Sequence, residues 1–107
     1  MALLALDVGN TNIALGLYRG DRLERHFRFA TDPEKTGDEY LALLAGALEA
    51  AGEAGKVDSI AVASVVPQVT DLLLHALAGL FPRIAPQVLS VADYPGLPVA
   101  YEFPERL

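Results

Sequence analysis

The spacing of apolar residues changes period along this chain, and the changes mark its elements. Residues 2–6 are an unbroken apolar run, the pattern of a strand covered on both faces. A turn-rich stretch, Asp7-Val8-Gly9-Asn10-Thr11-Asn12, follows it. Ile13, Leu15 and Leu17 then alternate with Ala14, Gly16 and Tyr18, which predicts a second strand. Arg19-Gly20-Asp21 reads as a hairpin turn. In a third strand, Leu23, Arg25, Phe27 and Phe29 are expected on one face and Arg22, Glu24, His26 and Arg28 on the other. So polar a face belongs at a solvated sheet edge.

From Tyr40 the period is helical, with Tyr40, Leu41, Leu44, Leu48 and Ala51 on one stripe. Thr36 stands three residues before Glu39, the spacing of a capping box, and Gly52 and Gly55 offer helix stops. Ile60-Ala61-Val62-Ala63 predicts a short buried strand. Pro67 suits the first turn of a second helix, whose stripe is Val69, Leu72, Leu73, Ala76, Leu77 and Leu80 and which Pro82 ends. Residues 88–91 are a candidate fifth strand, and the proline-rich residues 94–104 read as irregular. Three hairpin-linked strands followed by crossovers imply an α/β domain, a mixed sheet ordered β-β-β-α-β-α-β with helices covering it.

Composition narrows the function classes. A chain of 107 residues is one domain, and 52% hydrophobic with 21% charged residues argues for a folded core. Fourteen acidic against 8 basic side chains give a formal charge of −6, with no basic run dense enough to follow a phosphate backbone. Nucleic acid is therefore not an expected partner, and an anionic small molecule would need backbone donors or a metal ion. There are no cysteines, which excludes disulfides and thiolate chemistry and suits the cytoplasm. The apolar N-terminus is too short for a membrane span and lacks a basic flank. The two histidines, His26 and His75, are far apart in sequence and read as surface or core-rim residues. The final residues carry no stop signal, so the chain is expected to continue.

Asp7-Val8-Gly9-Asn10-Thr11 is the most informative segment. Gly9 lets a backbone approach a ligand closely, and successive amides in such a turn can cradle phosphate oxygens. Asn10 and Thr11 add short donors, and Asp7 stands where it could hold magnesium through water. An ordinary hairpin turn with an Asx hydrogen bond explains the same five residues equally well. Neither a P-loop nor a dinucleotide G-x-G-x-x-G fingerprint is present. Residues 31–40 read as a helix cap before catalysis is invoked, and Ala63-Ser64-Val65-Val66-Pro67 as a strand-to-helix junction before an anion site. Tyr101, in a proline-rich loop, could line a pocket with one apolar face and one hydroxyl, or belong to an exposed tail.

In order, these segments resemble the type III pantothenate kinases of the acetate and sugar kinase, heat-shock chaperone and actin superfamily. Asp7-Val8-Gly9-Asn10-Thr11 is similar to that family's first phosphate motif, D-x-G-N-T, and Thr36-Gly37-Asp38-Glu39-Tyr40 to its T-x-D-E-[YF] helix start. Ser64-Val65-Val66-Pro67 resembles its S-V-V-P junction, and Tyr101-Glu102-Phe103-Pro104 the opening of its Y-x-x-P…G-x-D-R pantothenate motif. The resemblance implies a ribonuclease H-like (actin-like ATPase) domain, residues 1–107, of a two-domain kinase whose second domain lies outside this chain. It implies ATP-dependent phosphorylation of pantothenate to 4′-phosphopantothenate, the first step of coenzyme A synthesis. It places Asp7, Gly9, Asn10 and Thr11 at ATP, with Asp7 also at Mg2+, and Tyr101 at pantothenate. It further implies a monovalent cation, K+ or NH4+, and a homodimer. The family's expected catalytic base, the aspartate of G-x-D-R, would fall just after Leu107, so no catalytic residue is expected in this chain and the chain alone is expected to be inactive. Two other readings compete: another sugar or acid kinase of the superfamily, and a non-catalytic accessory module on the same fold.

Overall fold

The computed structural model describes residues 1–52 and 56–90. The strands are β1 (Ala2–Val8), β2 (Asn12–Arg19), β3 (Arg22–Ala30), β4 (Ser59–Ser64) and β5 (Gln87–Ser90), and the helices α1 (Gly37–Ala51) and α2 (Pro67–Leu80). Their order along the chain is the expected one. The strands form one sheet in the order β3-β2-β1-β4-β5. β1 pairs antiparallel with β2 and parallel with β4. β2 pairs antiparallel with β3, and β4 parallel with β5. The sheet is mixed, β1 is central and β3 is an edge, as its polar face predicted.

Register decides which side chains share a face. Leu4, Leu6 and Val8 of β1 stand opposite Leu17, Leu15 and Ile13 of β2 and beside Ile60, Val62 and Ser64 of β4. The first eight of these join Tyr40, Leu44 and Leu48 of α1 and Val69, Leu73 and Leu77 of α2 in one core. Leu73 is fully buried there, so Leu73→Ala would cost about 2–5 kcal/mol. Odd-numbered residues of β1 lie on the opposite face, among small neighbours: Ala5 stands between Gly16 and Ala61, and Asp7 between Ala14 and Ala63.

Three details depart from the sequence expectations. β1 continues through Asp7 and Val8, because both find partners on β2 and β4 and a paired segment stays extended. β5 starts at Gln87, one residue earlier than expected, because Gln87 pairs with Ala61 of β4, whereas α2 ends as expected at Leu80, two residues before Pro82, with the Phe81 amide donating to the Leu77 carbonyl. Leu23 is not on the face of Phe27 and Phe29. A bulge shifts the β2–β3 register, so Leu17 pairs Arg25 but Tyr18 pairs Leu23. One extra residue moves everything beyond it to the other face. Phe27 and Phe29 pack against the core, and Leu23 is not among the residues that do.

The helix ends follow local rules. Thr36 caps α1, its hydroxyl accepting from the Glu39 amide at 3.1 Å while the Glu39 carboxylate accepts from the Thr36 amide at 2.8 Å. The left-handed Gly52 (φ 72°) closes the other end. No basic residue occupies the last turn of α1, and Arg25 of β3 donates to the Ala50 carbonyl there at 3.4 Å. Gly55 lies outside the described residues.

Candidate functional site

β1 and β4 are parallel neighbours, so their C-terminal ends open on the same side of the molecule. The β1–β2 turn, Gly9 to Thr11, therefore sits beside the β4–α2 junction, and the Val65 amide donates to the Val8 carbonyl at 3.1 Å. The end of β3 arrives at the same place: the Thr31 amide donates to the Thr11 carbonyl at 2.9 Å and its hydroxyl to the Gly9 carbonyl at 2.8 Å. Segments separated by dozens of residues in sequence thus meet at one end of the sheet's strands.

Within the turn, the Gly9 amide is taken up by the Asn12 carbonyl at 2.9 Å. The glycine is needed for this close approach, since an added Cβ would lie 3.2 Å from that same oxygen. Positive φ is not the reason, as only Gly20 and Gly52 adopt it among the described residues. Asn10 and Thr11 are exposed, and among the described residues neither backbone amide has a partner. The Asn12 side-chain amide donates to the Thr11 hydroxyl at 3.3 Å. An exposed turn with donors left over in this way can accept an anion.

Asp7 is half-buried at the end of β1, on the face away from the helices. Its row across the sheet is Arg28, Ala14, Asp7, Ala63 and Leu89. The residues on either side are small alanines, and Arg28 adds a positive charge two strands away. Among the described residues no three His, Cys, Asp or Glu side chains cluster as a protein-only metal cage. A single carboxylate suits magnesium, which keeps waters and takes its remaining ligands from phosphates.

The neighbouring junction is built differently. Ser64 Oγ accepts from the Val66 amide at 2.9 Å, Pro67 has no amide to offer, and Thr70 Oγ1 donates to the Val66 carbonyl at 3.1 Å. A small cavity of about 160 Å³ lies along it, lined by Ser64, Pro67, Thr70, Asp71, Val88 and Leu89.

The profile of the type III pantothenate kinases matches residues 3–107. This chain belongs to the type III pantothenate kinase family. Relatives include the type III pantothenate kinases of Geobacter sulfurreducens, 38% identical, and Anaeromyxobacter dehalogenans, 40% identical, each over 98% of this chain. The chain spans 41% of the length of these relatives. In fold it is similar to the ROK hexokinase of Thermus thermophilus (TM-score 0.63, 23% identity, 87% of this chain and 36% of that one). It is also similar to a ROK family protein of Streptococcus pneumoniae (TM-score 0.64, 17% identity, 98% and 39%). These likenesses confirm the ribonuclease H-like, actin-like ATPase fold.

Of the expected site residues, Asp7, Gly9, Asn10 and Thr11 come together at the turn. Tyr101 lies outside the described residues. His26 and His75 are both exposed, and His75 Nε2 lies 3.4 Å from Asp38 Oδ1 near the start of α1. Sequence reasoning missed Thr31, which it absorbed into the helix cap. Its signal was its position immediately after the edge strand that pairs with β2. No helix among the described residues is long and apolar enough to cross a membrane.

Proposed function

We propose that this chain is the phosphate-gripping N-terminal domain of a two-domain kinase that transfers the γ-phosphoryl group of ATP to pantothenate, giving 4′-phosphopantothenate. The observation that carries this reading is the β1–β2 turn, where the exposed amides of Asn10 and Thr11 have no partner among the described residues and stand beside a half-buried Asp7. In this assignment the amides and the short side chains of Asn10 and Thr11 hold phosphate oxygens, and Gly9 keeps the turn tight. Asp7 accepts hydrogen bonds from water on the magnesium ion. The ion, when bound with ATP, supplies positive charge to the phosphate oxygens. Tyr101 lines the pantothenate pocket. A monovalent cation, K+ or NH4+, homodimerisation and a cytoplasmic location complete the proposal, on family resemblance.

Phosphoryl transfer depends on positioning and on charge stabilisation. The residues here grip one partner only. The base that takes the proton from the pantothenate hydroxyl, and the other wall of the cleft, belong to sequence beyond Leu107, so the chain alone is expected to bind nucleotide weakly and not to turn over.

The test is a magnesium-ATP titration of the 15N-labelled chain, with pantothenate-dependent ATP consumption measured in parallel. Amide shifts centred on Gly9, Asn10, Thr11 and Asn12 without turnover are expected. An unperturbed turn at millimolar nucleotide would overturn the phosphate assignment, and robust turnover would overturn the assignment of the base to residues beyond this chain.

A further inference from the structure

One residue outside the turn ties down both of its ends. Thr31 donates through its hydroxyl to the Gly9 carbonyl at 2.8 Å and through its amide to the Thr11 carbonyl at 2.9 Å. The Gly9 carbonyl and the Asn10 N–H belong to one peptide group. That group is planar and trans, so the two point in opposite directions. Holding the oxygen on Thr31 therefore aims the Asn10 N–H away from Thr31 and out of the turn. An exposed peptide that lacked such an anchor could rotate, and its donor would have to be re-ordered each time an anion bound.

Thr31 is itself held. The Tyr40 hydroxyl donates to the Asp32 carbonyl at 2.8 Å and accepts from the Asp32 amide at 3.0 Å. The Tyr40 ring is completely buried in the core beneath α1. Asp32 Oδ1 accepts from the Glu34 amide at 2.9 Å, which folds the following residues into a turn. Rigidity thus passes from the core through Tyr40 and Asp32 to Thr31, and from there to the Gly9–Asn10 peptide.

We infer that Thr31 is a positioning residue for nucleotide binding: it pre-aims the Asn10 amide at the phosphate chain without touching the nucleotide. This rests on the phosphate assignment of the β1–β2 turn. The experiment uses the 15N-labelled chain in three forms: wild type, Thr31→Val, which keeps the shape and removes the hydroxyl, and Thr31→Ser, which restores it. In the wild type without ligand, the Asn10 and Thr11 amides should have order parameters near those of rigid backbone, about 0.85. Values below about 0.6 there overturn the inference whatever the variants do. Thr31→Val should weaken magnesium-ATP binding about tenfold, the scale of one lost hydrogen bond, and Thr31→Ser should restore most of it. A folded Thr31→Val chain that binds magnesium-ATP like the wild type overturns the inference alone. A wild-type turn that is rigid yet ignores magnesium-ATP overturns the phosphate assignment beneath it. Should the valine variant not fold, Thr31→Ala takes its place under the same criteria.

Discussion

Two connections leave the same end of the sheet side by side, and they are anchored in different ways. The β4–α2 junction is held partly from within: Ser64 Oγ takes the Val66 amide, Thr70 reaches the Val66 carbonyl, and Pro67 contributes no amide, while the start of α2 has no side-chain cap. The β1–β2 turn is held from outside, by Thr31, through its carbonyls alone. The Asn10 amide is therefore aimed away from Thr31, and among the described residues neither it nor the Thr11 amide has a partner. Side chains that bond their own connection stabilise it. A turn whose carbonyls are anchored by another element can leave donors for a ligand. The comparison predicts that Ser64 serves stability and that the turn serves ligand binding.

The largest effect should come from Asp7. Asp7→Asn keeps the size of the side chain but removes the charge that attracts hydrated magnesium. It should weaken binding of magnesium-ATP about 10–100-fold, the usual loss when an outer-sphere partner of a metal is altered. Binding of ATP without magnesium should change far less, so titrations with and without the ion separate charge from shape. Equal losses in both would mean that Asp7 serves the fold of the turn instead. The counterpart at the junction is Ser64→Ala. It leaves the Val66 amide without its acceptor at a site where Ser64 is 6% exposed. Stability should fall by about 1–3 kcal/mol in urea unfolding, with magnesium-ATP affinity unchanged once the variant is folded. A clear loss of affinity would dissolve the contrast between the two connections.

Much of this arrangement was legible in the sequence, for identifiable reasons. The element order came from strong periods and short turns, and the α1 start from one side-chain spacing, Thr36 to Glu39, that local chemistry enforces. The motif Asp7 to Thr11 was legible as a candidate because its residue types are those of an exposed turn. The face of Leu23 was not, because alternation assumes an unbroken register and the bulge opposite Leu17 and Tyr18 leaves no mark in a polar strand. The grip of Thr31 on Gly9 was hidden too. It is a contact between the ends of two strands, fixed by the antiparallel pairing that sets Asn12 against Ala30. Thr31 looks like an ordinary cap residue until that pairing is known.

Tyr40→Phe tests how far the anchoring extends into the core. The ring stays and the hydroxyl goes, so Asp32 loses a donor for its carbonyl and an acceptor for its amide. A stability loss of about 1 kcal/mol is expected by thermal or urea unfolding. Magnesium-ATP binding should weaken severalfold, less than in Thr31→Val, because Thr31 keeps its own two bonds to the turn. A loss larger than that of Thr31→Val would place Tyr40, not Thr31, as the immediate support.

Pro67→Ala carries the smallest expected effect and the sharpest logic. Alanine at the first position of α2 adds a backbone amide at the junction, beside the candidate phosphate site, and frees the unfolded chain. Stability should drop by about 0.4–1 kcal/mol through the unfolded-state entropy that proline restricted. If the junction is silent because Ser64 and Thr70 have already fixed its backbone, one more amide will not be recruited, and magnesium-ATP affinity will stay within twofold of the wild type. If affinity instead rises, the junction already lies within reach of the phosphates, and proline there limits a second anion-binding wall. The measurement thus separates two conditions: a backbone whose geometry is already fixed, and a donor that the sequence never supplied.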